Sequence, residues 1–358
     1  MVTSPPIIGL MSGTSLDGLD IVCVEFIADG QAISHRVLAA ETKSYDPQLQ
    51  EQLRQAHLLS GLELAQLDVT LGRMFGDITA DFCRRYTLAP SYIGSHGHTI
   101  FHQPENGLTM QIGSPFHLAA TSTIPVVAQF RTMDVALGGQ GAPLVPIADR
   151  LLYSSFNGCI NLGGIANISL TEHDTVYAFD ICVCNMALNA LAQIKGADFD
   201  EGGHWAASGQ VEAALLDGLF DHPYHNQIGP KSLGKEFYGQ HIEPAISMAL
   251  EQLCVEDVLC TLTEYIAQCI GRVLNERIAG SCLVTGGGAL NTYLIHRIQA
   301  HTNWNIVLGT PEDIHFKEAI AFALLAYLHQ EGKINVLRSV TGARCDHSAG
   351  VLYRPPTA

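Results

Sequence analysis

Three short apolar stretches open the chain, 7–14, 19–28 and 34–41, rich in Ile, Leu, Val and Phe. Their lengths and composition predict three consecutive strands in a meander. The spacing then changes to that of helices, over 46–58 and 61–87. In the second of these Leu67, Leu71, Phe75, Ile78 and Phe82 recur at three- and four-residue steps, which marks one buried helical face. Tyr92 to Ser95 reads as a short strand that ends in a His-rich loop. Further strands fall at 110–112 and 124–128, on either side of a short helix at 115–121. The run Ala136-Leu-Gly-Gly-Gln-Gly-Ala-Pro143 interrupts all periodicity and reads as a hinge.

After Asn157 the order begins again. Strands are predicted at 158–162, 165–170 and 176–180, then a helix at 185–195. Loops containing Gly, His and Pro occupy 200–209 and 221–236, and helices fill 240–253 and 256–279. A buried strand at 281–285 leads into Gly286-Gly287-Gly288 and a helix from about 289 to 300; a strand at 304–308 precedes a helix at 312–330. Three strands followed by mixed β and α occur twice, which predicts two α/β lobes of related topology with a ligand site between them. The expected division is 1–135 and 136–358, with the C-terminal tail packing back on the first lobe.

Composition narrows the class. The chain has 358 residues, enough for two domains, and 47% of them are hydrophobic. Its 19 basic and 35 acidic residues give a net charge of −16, which argues against nucleic acid and anionic membranes as partners. The 10 cysteines contain no CxxC pair, so no structural zinc site is expected and most read as small core residues. The first residues lack a basic signal-peptide region, and a reducing, cytoplasmic setting is expected.

Candidate chemistry begins with glycine. Gly13-Thr14-Ser15-Leu16-Asp17-Gly18-Leu19-Asp20 follows one apolar run and opens another. Its backbone N–H groups and hydroxyls suit phosphate, and its carboxylates suit Mg²⁺; it reads equally as an ordinary hairpin turn. It lacks the Gly-Lys-Ser/Thr of a P-loop. A second turn, at Gly163-Gly164, matches it half a chain later, and Gly286-Gly287-Gly288 is a third, lying before a helix. Asp180 ends an apolar strand and reads either as a general base or as the N-cap of the following helix, a place Asn185 could equally take. His96, His98 and His102 cluster without an acidic partner, which favours substrate bonding or packing over metal. Arg131 near Asp134 suits a substrate carboxylate or a surface ion pair. Glu318 sits in an otherwise apolar helix, either facing the site or serving the first-turn dipole.

Gly9-Leu-Met-Ser-Gly-Thr-Ser-Leu-Asp-Gly-Leu-Asp20 resembles the opening motif of the anhydro-N-acetylmuramic acid kinases. Further segments match that family in order along nearly the whole chain: Gly94-Ser-His-Gly-His-Thr99, Leu137-Gly-Gly-Gln-Gly-Ala-Pro-Leu-Val-Pro146, Asn161-Leu-Gly-Gly-Ile-Ala-Asn-Ile-Ser169, Pro230-Lys-Ser-Leu-Gly-Lys-Glu236, Val284-Thr-Gly-Gly-Gly288 and Glu318-Ala-Ile-Ala-Phe322. The resemblance implies an α/β, two-lobed actin/hexokinase-like (ASKHA) fold with duplicated βββαβα-type cores and ATP in the interlobe cleft. It implies a peptidoglycan-recycling enzyme that converts 1,6-anhydro-N-acetylmuramic acid, ATP and water into N-acetylmuramic acid 6-phosphate and ADP. By position, Asp180 would activate the water that attacks C1. Gly13 to Asp20 with Gly163 and Gly164 would hold phosphates, and Gly286, Gly287 and Gly288 would lie near adenosine. His96, Gln111, Arg131 and Glu318 would bind the sugar. Mg²⁺ would be held mainly by ATP and water, with no protein metal cage, and a homodimer is implied.

The chain also departs from that pattern. The family reads Asp-Thr-Gly-Pro-Gly-Asn where this chain has Asp180-Ile-Cys-Val-Cys-Asn185, so Cβ atoms occupy positions that glycine leaves open. His98 stands in place of a usual Gln, and Gln129 stands where an acidic residue is common. These departures keep two alternatives open: a kinase for another anhydro or amino sugar, and a non-catalytic sensor of sugar or nucleotide.

Overall fold

The computed structural model describes residues 2–13, 16–30, 32–173, 175–227 and 231–356. Thr14, Ser15 and Pro230, each part of a motif above, lie outside the described residues. In chain order the strands are β1 (Val2–Thr3), β2 (Ile7–Ser12), β3 (Gly18–Asp29), β4 (Ala32–Ser44), β5 (Tyr92–Gln103), β6 (Leu108–Ile112) and β7 (Val126–Ala128). They continue with β8 (Gly158–Leu162), β9 (Ile165–Glu172), β10 (Thr175–Val183), β11 (Ser281–Thr285), β12 (Asn305–Leu308) and β13 (Val351–Tyr353). The chain up to Ser154, with the segment from Phe316 onward, forms one compact unit; Ser155–His315 forms the other. The sequence pattern placed a division at 135/136. Residues 137–154 pack with the first unit because the buried Asp134 carboxylate accepts the Gly141 N–H at 2.7 Å and the Thr341 hydroxyl at 2.6 Å.

In the first unit the sheet runs β1-β3-β2-β5-β7-β13, with β4 on β3 and β6 on β5. The meander β2-β3-β4 is antiparallel, whereas β2 and β5 are parallel. The crossover between those two strands carries the helix Gly61–Tyr86. Ser60 caps that helix, and the Glu63 side chain returns a bond to the Ser60 N–H at 2.9 Å. Its predicted stripe is real: Leu67, Leu71, Phe75 and Phe82 are buried in one cluster with Ile8, Leu10, Ile21 and Cys23.

The opposite sheet face is covered by the helix Pro311–Gln330, whose residues 319–328 are all buried. An apolar surface all round is what a helix covered on every side requires. Close approach is possible because Gly9 on β2 and Gly94 on β5 stand side by side in register. A Cβ on Gly9 would collide with the Ala319 carbonyl, and one on Gly94 with the Phe322 carbonyl. The helix therefore rests with its backbone on the sheet.

The second unit repeats the plan, with sheet order β10-β9-β8-β11-β12. Strands β8, β9 and β10 are antiparallel, and β11 runs parallel to both β8 and β12. The helix Val255–Asn275 buries Val258, Leu259, Leu262, Ile266 and Ile270 in the same cluster as Ile160, Ile168 and Cys182. Two sequence expectations change. The His-rich segment is not a loop, because β5 continues through His96, His98 and His102 to Gln103. Likewise β10 passes Asp180 and ends at Val183, because Ile181, Cys182 and Val183 are core residues.

Replacing Gly9 or Gly94 with Ala should cost on the order of 2–3 kcal/mol, since the obstruction is rigid backbone. Gly218, inside the helix Ala213–Phe220, has nothing near its missing Cβ. Gly218→Ala should therefore stabilise by about 0.5–1 kcal/mol. Urea unfolding midpoints of the three variants check both signs.

Candidate active site

In the first unit β2 ends at Ser12, Gly13 follows it, and the Leu16 N–H reaches the Gly13 carbonyl at 3.3 Å. Leu16 has φ +64°, an uncommon setting for a leucine, and its side chain packs on the core. The turn is shorter than the motif: Gly18, Leu19 and Asp20 already belong to β3. Gly18 is glycine because a Cβ would strike the Lys43 backbone, and Leu19 has a fully buried side chain. Asp17 and Asp20 are the carboxylates of this region. Asp20 accepts the Thr42 hydroxyl at 2.5 Å. Burial, with the nearby charges of Asp17 and Glu318, pushes its carboxyl up to about 6 against the opposing pull of that hydroxyl. Behind the turn, Tyr45 donates to Ser12 Oγ at 2.7 Å, and Ser12 Oγ lies 2.9 Å from His98 Nδ1. Burial pushes His98 down to about 4, so this imidazole is neutral at pH 7.

Three of the expected sugar residues share one patch of this unit. His96 Nδ1 lies 2.9 Å from the Gly97 carbonyl, so that nitrogen carries the proton. Its Nε2 then accepts from Arg131, with Nε at 3.1 Å and Nη2 at 2.9 Å. Burial and the Arg131 charge hold His96 well below its ordinary range. Arg131 Nη1 also donates to the Gly141 carbonyl at 2.7 Å. Arg131 is thus fixed by His96 and the glycine loop rather than by a surface ion pair with Asp134. Burial lowers Arg131 to about 10, with Glu318 pulling the other way. Glu318 keeps solvent contact, and the protein around it raises its carboxyl while Arg131 and Lys317 oppose. Glu312 and Asp313 supply the acidic first turn of this helix; Glu318 lies about two turns further in, so the dipole reading fails. Gln111, on β6, donates to Thr109 Oγ1 at 2.9 Å and lies beside Gly97, where a Cβ would come 3.2 Å from its own.

In the second unit the structure brings the two remaining glycine turns together. Gly163 and Gly164 close the β8–β9 hairpin, and their carbonyls take the N–H groups of Cys184, Asn185 and Met186 at 2.9–3.1 Å. That caps the helix Asn185–Ile194, so neither Asp180 nor Asn185 is its N-cap; Cys184 holds that place without a side-chain bond. Asn185 instead donates to the Leu162 carbonyl at 2.8 Å. Gly286, at φ +81°, and Gly288 both lie against Leu162, and an added Cβ would strike it. Gly287 is exposed, and its missing Cβ would meet only Asn185 Nδ2 at 3.8 Å. Of these three glycines, two serve packing and one presents open backbone.

Asp180 lies inside β10, just before a bulge at Ile181. Its N–H donates to the Lys231 carbonyl at 3.0 Å, and its carbonyl accepts the Tyr224 hydroxyl at 2.7 Å. Its Oδ2 accepts the Leu233 N–H at 2.8 Å. Burial raises the carboxyl, and that N–H opposes the rise. Cys182 and Cys184, the departures from the family loop, are fully buried core side chains. Their Cβ atoms fill the interior. The Lys231–Leu233 segment and Tyr224 position Asp180, and the sequence signals this only through the motif from Pro230 to Glu236, whose residue types point to no particular role.

Two α/β units that each open with an antiparallel meander have the architecture of the actin/hexokinase-like fold class. Residues 5–355 match the family described as anhydro-N-acetylmuramic acid kinase. Relatives of that name are similar over nearly their full length. The one from Shewanella sp. (strain MR-7) is 38% identical, covering 94% of this chain and 95% of the relative. The one from Aliivibrio fischeri (strain ATCC 700601 / ES114) is 37% identical, covering 97% and 98%. A solved structure, the (R)-2-hydroxyglutaryl-CoA dehydratase component A of Acidaminococcus fermentans, aligns at TM-score 0.49 with 12% identity over 90% of this chain and 98% of that one, a likeness too distant to speak to activity. The chain belongs to the anhydro-N-acetylmuramic acid kinase family.

Asp20 gives a test of the electrostatics. A carboxyl raised from 3.8 to about 6 on folding destabilises the protein above that window and is neutral to stability below it. Asp20→Asn should raise stability by on the order of 1–2 kcal/mol at pH 7.5, after allowance for solvent screening, and by almost nothing near pH 4. Unfolding midpoints at the two pH values report the difference.

Proposed function

We propose that this protein phosphorylates 1,6-anhydro-N-acetylmuramic acid at O6 with ATP while water opens the anhydro bridge, and that Asp180 is the base that activates that water. The observation that carries the reading is the placement of Asp180 within a full-length family match. Its main chain is pinned on both sides and one carboxylate oxygen is oriented by a backbone N–H, while burial makes the group a stronger base than a free aspartate. Water loses its proton to Asp180 as it attacks C1. The C1–O6 bond breaks, and O6 attacks the γ-phosphorus as ADP leaves. Phosphoryl transfer then depends mainly on positioning and electrostatics.

The other groups take roles suited to their surroundings. Arg131 has five N–H donors, of which three are engaged by His96 and Gly141, so two are left for the lactyl carboxylate of the sugar. Glu318 and Gln111 suit sugar hydroxyl and amide groups, while neutral His96, with both ring nitrogens engaged, holds Arg131 in position for the sugar. Gly13 and the turn after it, with Gly163 and Gly164, serve the phosphates; Gly287 and Asn185 serve the nucleoside. Magnesium fits the carboxylates of the first unit, where burial, with the smaller contributions of the Asp17 and Glu318 charges, pushes Asp20 up, because a cation stabilises the ionised form. Among the described residues no group of three or more His, Cys, Asp or Glu could hold a metal ion. Asp20 would thus share the ion with ATP and water, and the ion, when bound, neutralises phosphate charge. Among the described residues no helix is long and apolar enough to cross a membrane. A cytoplasmic setting, where ATP is abundant, and a homodimer complete the proposal.

Purified protein with Mg-ATP and the anhydro sugar should release ADP and a product heavier by one phosphoryl group (HPO3) and one water. Asp180→Asn should lower kcat by about 10²–10⁴-fold with sugar affinity retained. The acid limb of kcat/KM should lie above the ordinary aspartate range, since activity is lost as pH falls through the raised Asp180 value. Absence of phosphorylated product from the unaltered protein would overturn the reading.

A further inference from the structure

Asp134, on the short helix Thr132–Ala136, is fully buried and takes no part in the chemistry proposed above. A buried carboxylate needs donors around it. Its Oδ2 accepts the Gly141 N–H at 2.7 Å, and its Oδ1 accepts the Thr341 hydroxyl at 2.6 Å. His347 brings Nε2 to 3.7 Å from the same Oδ1, while its Nδ1 donates to the Cys345 carbonyl at 3.1 Å. The loop from Leu137 to Pro143 folds round this carboxylate. A Cβ on Gly139 would come 2.2 Å from Asp134 Oδ2, and the Gly139 N–H donates to the Asp134 main-chain carbonyl at 2.9 Å. Two main-chain bonds tie the loop to the C-terminal segment: the Gln140 N–H to the Thr341 carbonyl at 2.8 Å, and the Arg344 N–H to the Leu137 carbonyl at 3.2 Å. Gly141 joins the two ends of the chain of contacts. Its N–H faces Asp134, and its carbonyl takes Arg131 Nη1 at 2.7 Å.

We propose that Thr341 and Asp134 are positioning residues for the carboxylate of the sugar. The C-terminal segment, acting through the Asp134 side chain, sets the Gly141 carbonyl and so the direction of the Arg131 guanidinium. The inference deepens the reading of Arg131 as the group that takes that carboxylate, and rests on it.

The two partners of Arg131 differ in kind. His96 stands on β5, and its ring nitrogen takes both Nε and Nη2. Those two bonds converge on one atom, so alone they let the guanidinium pivot about it. The bond from Nη1 to Gly141 stops the pivot. The N–H groups left for substrate are one on each Nη, the end of the fork, and a carboxylate meets such a pair only when the plane of the fork is aimed at it. Gly141 sits in an irregular loop at φ +68°, with no strand ladder to hold it. Its anchor is the Asp134 carboxylate, and that carboxylate is held in turn by Thr341. Without the Thr341 hydroxyl Oδ1 is short of a donor in a buried place, the carboxylate turns, and Gly141 is released.

The test uses the full chain and two forms of the anhydro sugar, the free acid and its uncharged methyl ester. Calorimetry gives the affinities, and turnover at saturating sugar gives kcat. Thr341→Val, which keeps the shape and removes the donor, should weaken binding of the acid about tenfold, with the ester and kcat each changed less than about twofold. Thr341→Ser should restore the affinity for the acid. Hydrogen exchange over 137–143, read without sugar, should speed up about tenfold or more in Thr341→Val and not in Thr341→Ser. If Thr341→Val does not fold, Thr341→Cys, whose thiol is a weak donor, replaces it with the same expected changes. Unchanged exchange would overturn the proposal. So would equal losses for acid and ester, the mark of a general loosening. The reading of Arg131 fails differently: the unaltered protein would then bind acid and ester alike, and the carboxylate half of the proposal would fall with it, while exchange still decides whether Thr341 holds the loop. Affinity and exchange need no turnover, so failure of the kinase reading stays separate.

Discussion

The first unit depends on a contact between two pieces of main chain. Gly9 and Gly94, neighbours on parallel strands, leave the sheet bare enough for the carbonyls of Ala319 and Phe322 to press against it. No side chain mediates that contact, so the position of the helix has almost no tolerance. Glu318 is the residue before Ala319, and its placement near Arg131 follows from the same seating. Lys317, one residue earlier, forms a buried ion pair with Asp149 at 2.8 Å, which fixes the helix in rotation as well as height. Such a pair adds little net stability but penalises wrong arrangements, since an unpaired buried charge is costly.

The second unit uses glycine in the same way. Gly286 and Gly288 let the turn after β11 sit on Leu162, beside the hairpin at Gly163 and Gly164. The hairpin carbonyls then cap the helix that starts at Asn185. Motifs that look on paper like anion cradles are thus largely packing devices, and of their glycines in this unit Gly164 and Gly287 are the exposed ones. The same economy explains how the chain tolerates Cys182 and Cys184 in a family loop that carries glycine. Both side chains turn inward, where a small apolar group is welcome, and the polar face of β10 is left to Asp180.

Much of this was legible in the sequence. The meanders, the stripe from Leu67 to Phe82 and the all-apolar helix near the end are visible because burial imposes a period on the residues. The order of motifs identified the family, and the roles proposed for Asp180, Arg131 and Glu318 follow from that resemblance. What stayed hidden depends on contacts distant in sequence. Asp134 is tied to Thr341, and Asp180 is oriented by Leu233; no local pattern announces either. The strand through His96 and His98 reads as a loop in the sequence because histidine is a weak strand signal and Gly97 looks like a breaker. In the structure Gly97 takes φ +75° within β5, and a register shift in the pairing with β2 absorbs it. Leu19 falls within the contiguous phosphate-turn motif in the sequence, whereas its side chain belongs to the core.

The central claim is that water adds to carbon while the sugar oxygen goes to phosphorus, with Asp180 as the base between them. Running the reaction briefly in ¹⁸O-water and fragmenting the product by mass spectrometry tests it directly. The account predicts one heavy oxygen in the product, at C1, and none in the phosphate. Heavy oxygen in the phosphoryl group, or in free inorganic phosphate released at the rate of ADP, would contradict it.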